Sequence, residues 1–238
     1  MTRLIGVSFL VLVVVVVGFT CLSAQQTPSV TVLGIGGGGP MPGFLFLELK
    51  GLRDVLVDNG YAPFNGPISM MGGGGYGGLV GEMRYGGAGL GGEISSTIGE
   101  KTATLSIGFG GVMIERGINT GQRNNLSIGV IIGGGGADLN LTDHRATTFE
   151  GAVADVPSLY ITREFFTFQP YVGVEIPVLS WIMLKAQLGY VFTFGGEWQI
   201  EGYELPGPPK SFNAPVISIM VAFGGSVPAD APRSYLAE

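Results

Sequence analysis

The chain has 238 residues, 43 of them glycine, with only 13% charged and 46% apolar. An average protein has about 7% glycine and about 25% charged residues, so a helix-rich cytosolic enzyme does not fit, and the apolar content excludes a disordered chain. The glycines cluster rather than fall at every third place, which excludes collagen. The net charge of −6 and singly scattered basic residues leave no footprint for nucleic acid.

Arg3 precedes an apolar run from Leu4 to Phe19, and the small residues Ser23 and Ala24 follow before the polar Gln25 and Gln26. Charge, apolar core and small-residue site in that order predict a secretory signal peptide over residues 1–24. The run is short of the roughly 20 residues that a membrane helix needs, which favours cleavage over an anchor. Cys21 is the only cysteine, and Gly18, Phe19 and Thr20 before it do not match a lipoprotein signal. Cleavage after Ala24 leaves no disulfide, thiol nucleophile or cysteine-ligated metal.

The mature chain reads as one domain over residues 25–225, followed by a tail over 226–238 containing Pro228 and Pro232. A β segment at Val30–Ile35 runs into Gly36–Gly39, the first of three four-glycine runs; the others are Gly72–Gly75 and Gly133–Gly136. Their uneven spacing gives no solenoid period. These runs are expected to serve partly as turns.

Residues 44–59 predict the one amphipathic helix. Leu45, Leu49, Leu52 and Leu56 recur at three- and four-residue spacing. Glu48, Lys50, Arg53, Asp54 and Asp58 take the other side. Pro42 before it and Asn59-Gly60 after it match the usual asymmetry of helix ends.

Beyond residue 79 the apolar pattern has period two. Leu79, Met83 and Tyr85 oppose Glu82 and Arg84. Leu105, Ile107, Phe109 and Met113 alternate with Ser106, Gly108, Gly110 and Val112; Leu126, Ile128, Val130 and Ile132 alternate with Ser127, Gly129 and Ile131. Leu188, Tyr190, Phe192 and Phe194, then Ile217, Ile219, Val221 and Phe223, repeat the pattern. The large apolar phase is expected to face lipid, and the small or polar phase to line a narrow lumen. The fold expected is all-β, an antiparallel barrel or barrel-like sheet of roughly eight to ten strands with one short helix near its N-terminus. Aromatics cluster at Tyr160–Tyr171 and at Trp181–Tyr203, and they suit either the girdles of such a barrel or its core.

Leu79 to Phe223 resembles the small, glycine-rich bacterial outer-membrane β-barrel proteins, by strand pattern rather than by a diagnostic motif. Such barrels commonly end on an aromatic residue of the last strand, a place that Phe223 would take. The resemblance implies the lipid bilayer of the outer membrane as the partner and a structural or passive role. The alternative is a soluble periplasmic or secreted β-module whose apolar phase encloses a hydrophobic ligand. The two differ on whether Ile107, Ile128, Phe192 and Ile219 point out or in.

No catalytic, cofactor or metal site emerges. Gly34, Gly36 and Gly39 with Asp54 and Asp58 formally match a dinucleotide fingerprint, but Pro40 and Pro42 interrupt the glycine-to-helix junction that the fingerprint needs. His144 is the sole histidine, too few for a triad or a three-histidine zinc site as ordinarily built. Asn125 and Asn140 head glycosylation sequons, which matter only in a eukaryotic secretory route. Glutamates on strands could form a glycosidase pair only at a defined separation. Their simpler reading is charge pairing in a lumen, with Glu82, Arg84, Glu115, Arg116 and Glu175 as the candidate lumen charges and the Leu45, Leu49, Leu52 and Leu56 helix as a plug.

Overall fold

The computed structural model describes residues 33–79, 81–118, 125–143 and 158–228. The expected signal peptide, His144 and most of the tail lie outside them. The elements in chain order are β1 (Leu33–Pro40), β2 (Gly43–Leu45), α1 (Lys50–Asp58), β3 (Ile68–Leu79), β4 (Met83–Ile98), β5 (Lys101–Ile118) and β6 (Asn125–Asp143). There follow β7 (Ser158–Leu179), β8 (Ile182–Phe194), the short β9 (Trp198–Ile200) and β10 (Tyr203–Leu205), and β11 (Ala214–Pro228).

Every neighbouring strand pair is antiparallel, and the sheet closes on itself. β8 pairs with both β7 and β11, and β11 pairs in turn with β2, which pairs with β3. β1 and β2 together form one wall strand between β11 and β3, so the ring has eight strands; β9 and β10 form a hairpin beyond it. One row of paired residues runs from Gly78 through Arg84, Glu115, Gly129, Tyr171, Gly189, Val216 and Leu45 to Ile68. It leaves β3 at residue 78 and returns to it at residue 68, a stagger of ten residues. Eight strands about 4.8 Å apart with that stagger must tilt by about 40° and enclose a backbone radius of about 8 Å. Side chains can fill such a barrel.

The glycine runs lie inside strands and not in turns: Gly36–Gly39 in β1, Gly72–Gly75 in β3 and Gly133–Gly136 in β6. This corrects the expectation from sequence. Runs with no side chain let the wall coil tightly, and a Cβ built at Gly72 would lie 1.9 Å from the Gly89 carbonyl oxygen. True turns use one or two glycines, such as Gly99 between β4 and β5 (φ +58°) and the Gly195-Gly196 pair after β8.

The helix is shorter than its apolar spacing predicts. Phe44 and Leu45 are taken by the sheet, where they pair with Ile217 and Val216 on one side and with Ser69 and Ile68 on the other. Ladder bonds that close the barrel outweigh a periodicity equally compatible with a helix. α1 therefore starts at Lys50 and buries only Leu52 and Leu56. Its end matches the expectation: Gly60 (φ +77°) follows Asn59, and the Gly60 and Tyr61 amides donate to the carbonyls of Val57 and Leu56. Lys101 Nζ donates to the Asn59 carbonyl at 2.9 Å, placing a cation at the negative end of the helix.

Short turns, at residues 81–82 and 180–181, occupy one end of the barrel, here called the lower end. The connection carrying α1 and the segment from residue 195 to 213 occupy the upper end. There Arg163 donates to the carbonyls of Gly195 (3.3 Å), Pro209 and Lys210 (2.8 Å), and Trp198 Nε1 donates to that of Pro208 (3.2 Å). Phe212, buried against Phe165 and Trp198, completes this closure of the upper mouth.

Candidate functional site

The inside of the ring is the first candidate site, because four charged side chains from four strands meet there. Arg84 (β4) sends Nη1 to both carboxylate oxygens of Glu175 (β7), at 2.8 and 2.9 Å, and its Nε lies 3.1 Å from Glu115 (β5). Lys185 (β8) pairs closely with Glu115 and lies 3.4 Å from Glu175. Tyr171 donates its hydroxyl hydrogen to Glu115 at 2.6 Å. The Tyr76 ring stands 4.1 Å from Lys185 Nζ and 5.1 Å from the Arg84 guanidinium carbon. All four charged residues are at most 1% exposed.

Strand pleating explains this convergence. Arg84 and Glu115 are direct cross-strand partners, as are Glu175 and Lys185, so each pair points inward from adjacent strands. Two cations and two carboxylates cancel, and each ion has an opposite charge within hydrogen-bond reach, the condition for carrying charge in a dry interior. Glycines on the adjoining strands provide the space. A Cβ at Gly117 would stand 2.8 Å from Arg84 Nη2, and one at Gly129 would stand 2.6 Å from the Tyr171 hydroxyl.

Three of the five expected lumen charges, Arg84, Glu115 and Glu175, therefore meet inside. The other two do not. Arg116 follows Glu115 and so takes the opposite, outward phase of β5, while Glu82 sits in the turn before β4; both are exposed. Lys185 completes the group and is missing from the sequence expectation. Its signal was a single lysine in the same phase as Gln187, opposite Leu184, Leu188, Tyr190 and Phe192.

Above the charges the interior is apolar on the side of β2 to β5. Leu45, Ile68, Met70, Leu90, Leu105, Ile107 and Phe109 fill it, with Leu52 and Leu56 of α1 joining the same core and Leu49 packed at its margin. The inward direction of Leu105, Ile107, Phe109 and Met113 reverses the expected phase of β5. Their alternates Thr102, Thr104, Ser106, Gly108 and Gly110 are small or polar and take the outer face, while an apolar core fills the upper barrel. The crevice beside Arg84 and Glu175 at the lower end, between Ile35, Gly81 and Ile118, does not admit a water molecule.

The outer surface is the second candidate. β8 presents Ile182, Leu184, Leu188, Tyr190, Phe192 and Phe194 outward, and β7 presents Phe166, Phe168, Val172, Val174 and Ile176. Phe166 is 73% exposed and Phe194 56%. Ile128, Phe192 and Ile219 lie in outward phases and Ile107 inward, which divides the four diagnostic residues three to one. Polar residues then begin together: Ser69, Glu93, Ser106, Asp138, Thr162 and Gln199 are paired successively across the strands, forming one outward-facing row. From Met83 to Glu93 is ten residues of β4, about 33 Å along the strand and about 25 Å along the barrel axis at the derived tilt.

The expected aromatic clusters divide by the same phase rule. Phe165, Tyr171 and Trp198 are buried inside. Tyr160, Phe166, Phe168, Trp181 and Tyr203 stand outside, with Trp181 stacked on Phe223 at the lower end (centroids 6.3 Å apart).

Ring closure, alternating phase and a filled interior define a small closed antiparallel β-barrel. No protein-family model and no curated protein matches the chain. Among solved structures it is similar to Ail, the attachment invasion locus protein of Yersinia pestis, in complex with the heparin analogue sucrose octasulfate. That match has a TM-score of 0.43 at 8% identity, covering 82% of this chain and 99% of Ail. A second Ail structure matches with a TM-score of 0.39 at 10% identity, covering 82% and 98%. The N-terminal β-barrel domain of Pseudomonas aeruginosa OprF matches with a TM-score of 0.30 at 11% identity, covering 81% and 98%. The register of the chain's own strands, not these likenesses, carries the fold.

Proposed function

We propose that this chain is an exported protein of the bacterial cell envelope, a barrel seated in the outer membrane with a structural, passive role. The observation that supports it best is the outer face: a belt of exposed large apolar side chains that gives way to polar residues along one paired row. A belt about 25 Å tall suits the hydrocarbon layer. In water the same surface would be a large aggregation-prone patch. The lower end would face the periplasm and the upper end, which carries the long connections, the exterior, the usual arrangement of such barrels. Lipid is then the main partner.

The filled interior favours a sealed wall over a pore. The Arg84–Glu115–Glu175–Lys185 group ties four strands together inside the lumen. The segment containing Leu45, Leu49, Leu52 and Leu56 acts as the plug above it: Leu45 from the wall, Leu52 and Leu56 from α1. The two convergent carboxylates are engaged by Arg84, Lys185 and Tyr171, which suits a structural role for the group.

The test is fractionation and purification of the mature chain. Membrane embedding predicts retention in membranes after carbonate washing, and a folded form in detergent that shifts in gel mobility only on boiling. A monodisperse protein without detergent would instead establish the soluble module. In planar bilayers the sealed wall predicts no stepwise conductance.

A further inference from the structure

Beyond the sealed-barrel reading, the upper mouth contains a cleft of about 400 Å³ between the entry to α1 and the segment leading into β3. Its floor is apolar: Leu47, Leu49, Phe64, Ile68 and Ile94. Phe64 and Ile68 are buried beneath it, while Leu47 and Leu49 are only partly covered. Gly66 (φ +86°) turns the chain at the edge, and a Cβ built there would meet nothing, so the opening is unobstructed on that side. Arg53 stands on the rim, fixed by its Nη2 donating to Asn65 Oδ1 at 3.0 Å.

From this geometry we propose that the cleft binds a small amphiphilic acid, with an apolar body on the leucine and isoleucine floor and a single acidic group against the Arg53 guanidinium. Ligand sites are typically clefts of roughly 300–1,000 Å³ with apolar walls and a few placed polar groups, and barrel mouths are among their common locations. The apolar floor selects a hydrocarbon or aromatic body. A guanidinium pinned through one nitrogen is preorganised to receive a carboxylate in its planar fork, and less entropy is lost than with a free side chain. The rim carries Lys50 and Arg53 against Glu48 and Asp54, a balance of charge that disfavours a polyanion, so one acidic group is the charge that suits the site.

The experiment uses the full mature barrel in lipid nanodiscs with labelled leucine and isoleucine methyl groups. The probe is 4-phenylbutanoate, with 4-phenylbutylamine as the opposite-charge control. The expected result is saturable methyl shifts of Leu47, Leu49 and Ile94 with the acid, and binding at least tenfold weaker with the amine. Arg53→Gln should weaken the acid at least tenfold while leaving heat-modifiable mobility unchanged. Ile94→Trp, which fills the floor, should abolish the shifts in protein that still shows that mobility. No saturable shift, equal binding of acid and amine, or an unaffected Arg53→Gln variant would each overturn the proposal. None of these outcomes bears on membrane seating, which is read separately from carbonate washing and gel mobility.

Discussion

The two sides of the barrel wall solve the same closure in opposite ways. From β7 through β8, the outside is bulky and apolar while much of the inside is polar: Glu175, Gln169, Thr167 and Arg163 on β7, and Lys185, Gln187 and Thr193 on β8. From β3 through β5 the outer middle is glycine, and the upper interior contains Met70, Leu90, Leu105, Ile107 and Phe109. The difference teaches that glycine has two distinct uses here. Inward glycines are holes for a neighbour's side chain, as Gly129 is for Tyr171 and Gly135 for Phe165. Several outward ones are not required by packing: a Cβ at Gly77 or Gly91 would approach nothing closer than 3.9 Å, and one at Gly108 nothing closer than 3.7 Å.

The strongest way to break the polar side is to unbalance its charges. Glu115→Ala would leave Lys185 and the Tyr171 hydroxyl without their acceptor, and Arg84 without one of its two counter-charges. Removing one partner of a buried pair costs about 3–5 kcal/mol, so urea titration of the folded barrel in vesicles should show a loss of that size. A loss under about 1 kcal/mol would mean that the cluster is hydrated rather than dry.

Next in size is a charge on the apolar outer face. Ile219→Arg, in the belt, should cost about 2–4 kcal/mol in the same titration, whereas Ser106→Arg, on the polar boundary row, should cost about 0–1 kcal/mol. Equal costs at the two positions would mean that the belt does not lie in hydrocarbon.

A smaller effect separates the two glycine classes. Gly129→Val forces a side chain into Tyr171 and Glu115 and should destabilise by about 1–3 kcal/mol, as overpacking does. Gly91→Val, outward and unobstructed, should change stability by less than about 1 kcal/mol and in the favourable direction, since valine suits a strand better than glycine. Paired urea titrations of the two variants measure the contrast directly. If both destabilise equally, close backbone approach rather than side-chain room sets the need for glycine on both faces.

Much of this architecture was legible in the alternation. The phases of Leu126–Ile132, Leu188–Phe194 and Ile217–Phe223 point outward as the pattern suggests, and the Asn59-Gly60 ending of the helix is where the local chemistry puts it. The β5 phase was not legible, because Leu105, Ile107 and Phe109 look the same whether they face lipid or an apolar core. Nor was the extent of the last strand: β11 continues to Pro228, past Phe223 where the alternation ends.

By itself the sequence determined that neighbouring residues face opposite sides, that one side is large and the other small, and that one short helix precedes the longer strands. Those follow from local periodicity, which one strand expresses alone. Tertiary structure decided which side is inside, which glycines are turns and which are wall, and which charges meet. Arg84, Glu115, Glu175 and Lys185 are separated by up to 101 positions in the chain, and only antiparallel pairing around a closed ring of defined stagger brings them to one level. That stagger belongs to no strand alone; it is set when the last strand meets the first.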